Sequence, residues 1–202
     1  SELVNKIYNI LPKEKNLNIG GISFKDDSTL DRFSKKSCNI WRINSEQDLS
    51  LIKHAGVESI QAALNEINAK KISERYGKAD LLIVRHIWEH VYDQRKFSEA
   101  LKILISNNGY ILFEIPDCTK LLNYFDYTMI WEEHTYYFTP YTIINSLKQN
   151  GFDLLLMEVF KYPGEDAINL LVKISNSKKN EVDKRLLKKE LQIGKKYAEK
   201  FL

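Results

Sequence analysis

Apolar positions along this chain switch between two spacings, and the switches predict helices alternating with strands. Leu3, Val4, Ile7 and Ile10 fall on one side of a short amphipathic helix over Ser1 to Asn9, which Pro12 and the charges around Lys13 end. Leu17 to Gly21 reads as a strand running into a glycine turn. Asp27 or Ser28 caps a helix through about Ser34. Asn39 to Ile43 is a second strand, and Ser45 caps a helix reaching His54. Val57 to Ile60 is expected as a third strand, and Gln61 to Tyr76 as a helix stopped by Gly77. The near-continuous apolar run from Asp80 to Val84 is the mark of a strand buried on both faces. A helix over Phe97 to Ile105, a turn at Asn107 to Gly109 and a strand over Tyr110 to Ile115 follow, with Pro116-Asp117 expected to break the ladder. A helix from Thr139 or Pro140 to about Lys148 precedes two final strands, Phe152 to Phe160 and Ile168 to Ile174. From Ser175 the composition turns lysine-rich with helically spaced leucines, the pattern of a solvated charged helix.

This alternation implies an α/β, Rossmann-like, mostly parallel sheet with helices on both faces and an antiparallel pair at one edge. Residues 1–175 are expected to form that domain. Residues 176–202 are expected to form the charged helix, leading into a further domain if the chain is a piece of a longer protein. Ligands of such sheets bind beyond the carboxyl ends of the strands. Gly20-Gly21, Arg85 to His90 and Pro116-Asp117 all fall there. Ile130 to Pro140 follows closely and fits neither period. It concentrates Glu132, Glu133, His134 and several aromatic rings. One reading is an aromatic loop over the core; the other is part of a site, with His134 as the acid/base group. Three of the four histidines, His86, His90 and His134, then share one rim.

Composition narrows the partners. The chain has 202 residues, 28% charged, with a net charge of +3, too balanced to argue for nucleic acid. No apolar run approaches a membrane span, and no signal peptide is visible. Two cysteines, Cys38 and Cys118, suit a reducing, cytoplasmic setting and make no structural zinc site between them, and no metal site is expected.

Four blocks carry a resemblance. They are Ala79 to Val91 (ADLLIVRHIWEHV), Gly109 to Asp117 (GYILFEIPD), Glu133 to Pro140 (EHTYYFTP) and Gly151-Phe152. In this order they resemble class I S-adenosylmethionine-dependent methyltransferases. The closest match is to the sugar C-methyltransferases of nucleotide-sugar and surface-polysaccharide pathways. The resemblance implies a seven-stranded sheet, S-adenosylmethionine as cofactor and a small-molecule sugar or nucleotide-sugar as partner. It places His134 on the family's base, with Glu133 beside it and His90 near the sugar. It places Gly20, Gly21, Asn44 and His86 near the cofactor, and Tyr137 and Trp131 near the substrate.

The chemistry suits these residue types. Methylating a carbon beside a ketone requires removal of an α-proton, which a neutral imidazole performs near neutral pH, and hydrogen-bond donors then hold the enolate. Departures are equally plain. Phe24 stands at the last glycine of the cofactor turn, Asn44 where an acid is usual, and Trp131 where a tyrosine is common. The family's N-terminal zinc-binding segment and its C-terminal domain are not recognised. The alternative is therefore a catalytically inactive methyltransferase-fold domain that binds or scaffolds within a larger polysaccharide-biosynthesis protein.

Overall fold

A computed structural model describes residues 2–12, 16–130, 132–175 and 183–201. Helix α1 (Glu2–Ile10) precedes strand β1 (Asn18–Gly21), a 3₁₀ turn (Phe24–Asp26) and α2 (Asp27–Ser34). Strand β2 (Asn39–Arg42) leads to α3 (Ser45–Leu49), α4 (Val57–Ala63) and α5 (Glu66–Tyr76). Strand β3 (Ala79–Arg85), a 3₁₀ turn (Trp88–His90), α6 (Gln94–Leu104) and β4 (Ile105–Asp117) complete the parallel part. Then come α7 (Thr119–Tyr124), α8 (Pro140–Gln149), β5 (Phe152–Phe160), β6 (Asp166–Ile174) and α9 (Lys184–Phe201).

Among the described residues the sheet has six strands in the order β2-β1-β3-β4-β6-β5. Strands β1 to β4 pair parallel, and β6 runs antiparallel to both β4 and β5. The alternation of elements and the helices on both faces are as expected, but the described residues form no seventh strand. Val57 to Ile60, expected as a strand, is the first turn of α4, which buries Val57 and Ile60 on one side. The expected single helix over Gln61 to Tyr76 is two. Asn65 separates them, its side chain accepting the Ile67 and Asn68 amides at 3.0 Å each. The helix expected to reach His54 stops at Leu49, where Ser50 turns left-handed at φ 57°. Pro116-Asp117 does not break the ladder, because β6 approaches antiparallel and pairs Pro116 with Ala167 and Asp117 with Asp166. Asn107 to Gly109 is not a turn but an irregularity inside β4, where the register with β3 jumps.

Two apolar layers sandwich the sheet. One gathers Leu82, Val84, Trp88, Phe97, Leu101 and Phe113 beneath α4 to α6 and α8. The other gathers Ile7, Ile19, Phe33, Leu81, Ile83 and Leu112 beneath α1 and α2. Alternate residues of β3 feed opposite layers, so this strand is apolar throughout. Each fully buried Leu, Ile or Phe contributes about 1.5–3 kcal/mol, which makes β3 and β4 the rigid base of their carboxyl-end rim. Helix α9 packs back on the rim side. Tyr127 Oη donates to the Tyr197 carbonyl at 2.7 Å, and Tyr197 Oη donates to the Asp126 carbonyl at 2.7 Å. The lysine-rich tail is thus a docked helix with a solvated outer face. Its expected start at residue 176 lies outside the described residues.

Candidate active site

A cleft of about 440 Å³ opens where β1, β3 and β4 end, within the usual size for small-molecule sites. Phe24 and Lys25 line it from the turn after β1, Gly56 to Glu58 from the start of α4, His86, Glu89 and His90 from the segment after β3, and Pro116 from β4. Met129, Glu133, His134 and Glu165 close the far side.

The main chain ties the two histidine segments together. Thr135 and Tyr136 both donate their amides to the Glu89 carbonyl, at 2.9 and 3.0 Å. His90 Nδ1 lies 3.0 Å from the Glu133 carbonyl oxygen and 3.3 Å from Glu58 Oε1. Cys118 donates to the Phe138 carbonyl at 2.8 Å. The residues after His134 therefore hang on the backbone of Glu89, and the His90 and His134 rings meet edge to face at 4.7 Å. The irregular apolar spacing accords with this: the Thr135 and Tyr136 amides are satisfied by another loop rather than by a helix or ladder of their own.

His86 sits at φ 51°, a left-handed conformation uncommon for a side-chain-bearing residue. Its amide still donates to the Glu114 carbonyl at 2.8 Å, while the kink turns its ring toward two carboxylates. His86 Nε2 is 3.2 Å from Glu114 Oε1, and Nδ1 is 3.5 Å from Glu89 Oε1. Burial opposes the charged ring, but Glu114 and Glu89 outweigh it and raise its pKa to about 9. Burial likewise opposes ionisation of Glu114, and His86 and Arg85 overcome it, lowering that carboxyl to about 2. Arg85 grips Glu114 through Nε at 3.0 Å and Nη2 at 2.8 Å, a two-pronged charge-assisted pair. His134 is the opposite case. Burial, then the neighbouring His90, lowers its pKa, so the ring is neutral at pH 7.

The raised His86 pKa sets a pH dependence. Between pH 6.5 and about 9 the folded chain keeps a proton that the unfolded chain has released. Stability from the pair is thus complete below pH 6.5 and is lost as pH rises through about 9. Roughly a third of the ring meets solvent, which screens the pair, so a loss of about 2 kcal/mol is expected across that window. Urea unfolding at pH 6 and pH 9.5 measures it, and His86→Gln is expected to flatten the difference.

The turn after β1 is filled by its own side chains. Asp26 is completely buried, and its Oδ2 accepts the Ile22 and Ser23 amides at 2.7 and 2.9 Å while Oδ1 accepts the Arg85 amide at 2.9 Å. Burial pushes this carboxyl up to about 7 against the pull of those three amides and of Arg85. A side chain at Gly20 would place its Cβ 2.4 Å from the Trp41 ring, and one at Gly21 would meet Leu30 at 2.8 Å. Packing against the rigid Trp41 ring requires Gly20, whereas the atom nearest Gly21 is the end of a flexible leucine. Neither they nor Asn44 line the cleft. The Asn44 oxygen instead caps α3, accepting the Glu46 and Gln47 amides at 3.0 Å each. Phe24 is half exposed and borders the cleft without plugging it.

His86, His90, Glu133 and His134 are thus brought together as the sequence led us to expect. Tyr137 stands behind His134, ring centres 5.7 Å apart, and Trp131 lies outside the described residues. Sequence reasoning missed Glu58, Glu89, Glu114 and Glu165. A signal existed for Glu114, a lone charge within the apolar run of β4. Glu89 adjoins His90, but nothing in its spacing reveals that it is buried.

Comparison with known proteins gives this arrangement a context. The family described as "Methyltransferase domain" matches residues 31–156. C-methyltransferase NovU of Streptomyces niveus is 26% identical over 96 residues, 48% of this chain and 23% of that protein, so the match spans under a quarter of NovU. Magnesium protoporphyrin IX methyltransferase of Synechocystis, solved with S-adenosylhomocysteine, superposes with a TM-score of 0.52 at 12% identity, covering 87% of this chain and 81% of that one. The 1,6-didemethyltoxoflavin-N1-methyltransferase of Burkholderia thailandensis gives 0.56 at 7% identity over 87% and 76% of the two chains. At such identities the structural likeness is one of fold.

Proposed function

Because the chain belongs to the methyltransferase-domain family, we propose that it is an S-adenosylmethionine-dependent methyltransferase domain. We propose further that its acceptor is a sugar or nucleotide-linked sugar and that His134 takes the acceptor's proton. The observation that carries this reading is the pair of joined segments. A neutral His134 faces His90 in one cleft with Glu133 beside it, at the carboxyl end of a wound sheet. The match to a C-methyltransferase supports a carbon acceptor, and the ordered sequence blocks support the sugar class.

S-adenosylmethionine is the methyl donor of this family; bound, it supplies an electrophilic methyl group on a sulfonium cation. The donor set suits a cation. Glu58, Glu89, Glu133 and Glu165 all face the cleft, and the Glu89 carboxylate is buried with neither oxygen hydrogen-bonded. Glu58 and Glu89 would hold the cationic end, and Lys25 and the protonated His86 the donor's carboxylate. In this reading His134 accepts the α-proton of the acceptor, and the His90 ring, oriented through Nδ1 by the Glu133 carbonyl, lies beside the forming enolate.

One observation favours the inactive binding domain instead. Asp26 occupies the amides of the turn after β1, and Asn44 is spent on a helix cap. Calorimetric titration separates the two. Saturation at one equivalent of S-adenosylmethionine with a dissociation constant of about 10–100 µM, roughly −7 to −5.5 kcal/mol, is expected. No heat up to about millimolar ligand leaves the binding domain as the surviving reading.

A further inference from the structure

We propose that Glu89, His90 and His134 form a binding site for a divalent transition metal of the zinc class in the wall of the cleft. One ligand atom from each residue lies within 4.8 Å of the other two. Two imidazole nitrogens and one carboxylate oxygen suit zinc, cobalt or ferrous iron, whereas magnesium and calcium favour oxygen alone. Three protein ligands leave a coordination position open toward the cleft.

An independent observation points to a missing cation. Glu89 is 2% exposed, and neither of its carboxylate oxygens has a hydrogen-bond partner among the described residues. Buried carboxylates are otherwise paired or bound to metal, because desolvation without compensation costs several kcal/mol. The nearest positive group is His86, whose Nδ1 stands 3.5 Å from Oε1 and whose Nε2 is committed to Glu114 at 3.2 Å. That attraction is longer than a good hydrogen bond and leaves Oε2 with nothing.

The surroundings also preset the ligands. His90 Nδ1, donating to the Glu133 carbonyl at 3.0 Å with Glu58 Oε1 at 3.3 Å, leaves Nε2 carrying the lone pair. An outer hydrogen bond of this kind orients most metal-bound histidines. The Thr135 and Tyr136 amides pin the chain beside His134 to the Glu89 carbonyl, so the three ligands share one backbone frame. Ligand atoms on a tetrahedral zinc stand about 3.3 Å apart, so closure requires a shift of about 1.5 Å, within reach of the half-buried His134.

This site goes beyond the proposed methyl transfer. A neutral imidazole has one lone pair and Glu89 one unpaired carboxylate, so at His134 the metal excludes proton abstraction and at Glu89 it excludes the donor's cationic end, which Glu58 alone would then hold. Binding is measured without turnover, so failure of either idea leaves the other standing.

The test uses the full chain, stripped with chelator and titrated with Zn²⁺ against a chromophoric competitor. One equivalent is expected. His134→Ala and Glu89→Gln should each weaken Zn²⁺ binding by about 100-fold or more. His54→Ala, at an exposed position outside the cleft, should leave it unchanged. Co²⁺ should give a visible absorption band in the wild type that His134→Ala abolishes, a readout independent of whether Glu89→Gln folds. Unchanged affinity in His134→Ala, or loss in His54→Ala, overturns the proposal.

Discussion

Replacing His134 by alanine is expected to slow methyl transfer by about 10²–10⁴-fold, the usual contribution of a positioned general base, and to leave affinity for S-adenosylmethionine within about twofold. The split follows from where the ring sits. His134 stands on the far wall of the cleft, in contact with His90 and Tyr137, while Lys25 and the turn after β1 line the opposite wall. Its role is read most directly by exchange of the acceptor's α-proton in deuterium oxide, a step that needs no methyl donor. Exchange lost together with turnover, and donor binding retained, is the expected result. Equal loss of donor binding would mean that the ring props the cleft rather than moving a proton. The two uses of His134 also part company with a chelator. Stripping divalent metal should leave the base-catalysed rate unchanged or raise it, because a bound metal occupies the same lone pair.

How much of this was legible beforehand depends on what each residue interacts with. The alternation of β1 to β4 with helices was readable because period and burial are local properties. The rim histidines followed from it, since residues after a parallel strand fall at its carboxyl end. Val57 to Ile60 failed because four apolar-rich residues fit a strand or a helix turn equally. Helix contacts at Val57 and Ile60 decided the matter through tertiary packing. The continuation of β4 through Pro116 failed because a proline can sit in a ladder wherever its partner requires no amide from it, and that depends on β6, fifty residues later. Asn44 was expected near the cofactor, yet its oxygen caps α3, a use that any Asn before a helix offers. The tail was read as a solvated helix. Tyr197 and Tyr127 show an inner face against the loop before Ile130, a contact seventy residues apart in sequence.

Replacing Asp26 by alanine is expected to destabilise the fold by about 3–6 kcal/mol, a large part of the 5–15 kcal/mol that holds a domain of this size together. Three buried amides, those of Ile22, Ser23 and Arg85, lose their acceptor at once, and each unsatisfied donor costs about 1–3 kcal/mol. Asp26→Asn should cost less, about 1–3 kcal/mol. Its single amide oxygen can keep the Ile22 and Ser23 donors, but its NH₂ group then faces the Arg85 amide. Chemical denaturation of both variants measures the difference, and the ordering Ala below Asn below wild type is the expected outcome. This ordering bears on the cofactor question. The same carboxylate that joins β1 to β3 occupies two amides at the turn where the resemblance places the cofactor. If Asp26→Ala costs under about 1 kcal/mol, water from the cleft must be reaching Ile22 and Ser23. The turn would then be open to a ligand's carboxylate. A loss of several kcal/mol means instead that Asp26 seals the turn's amides, which leaves the Lys25 and His86 side chains for the donor's amino-acid end in the proposed reading.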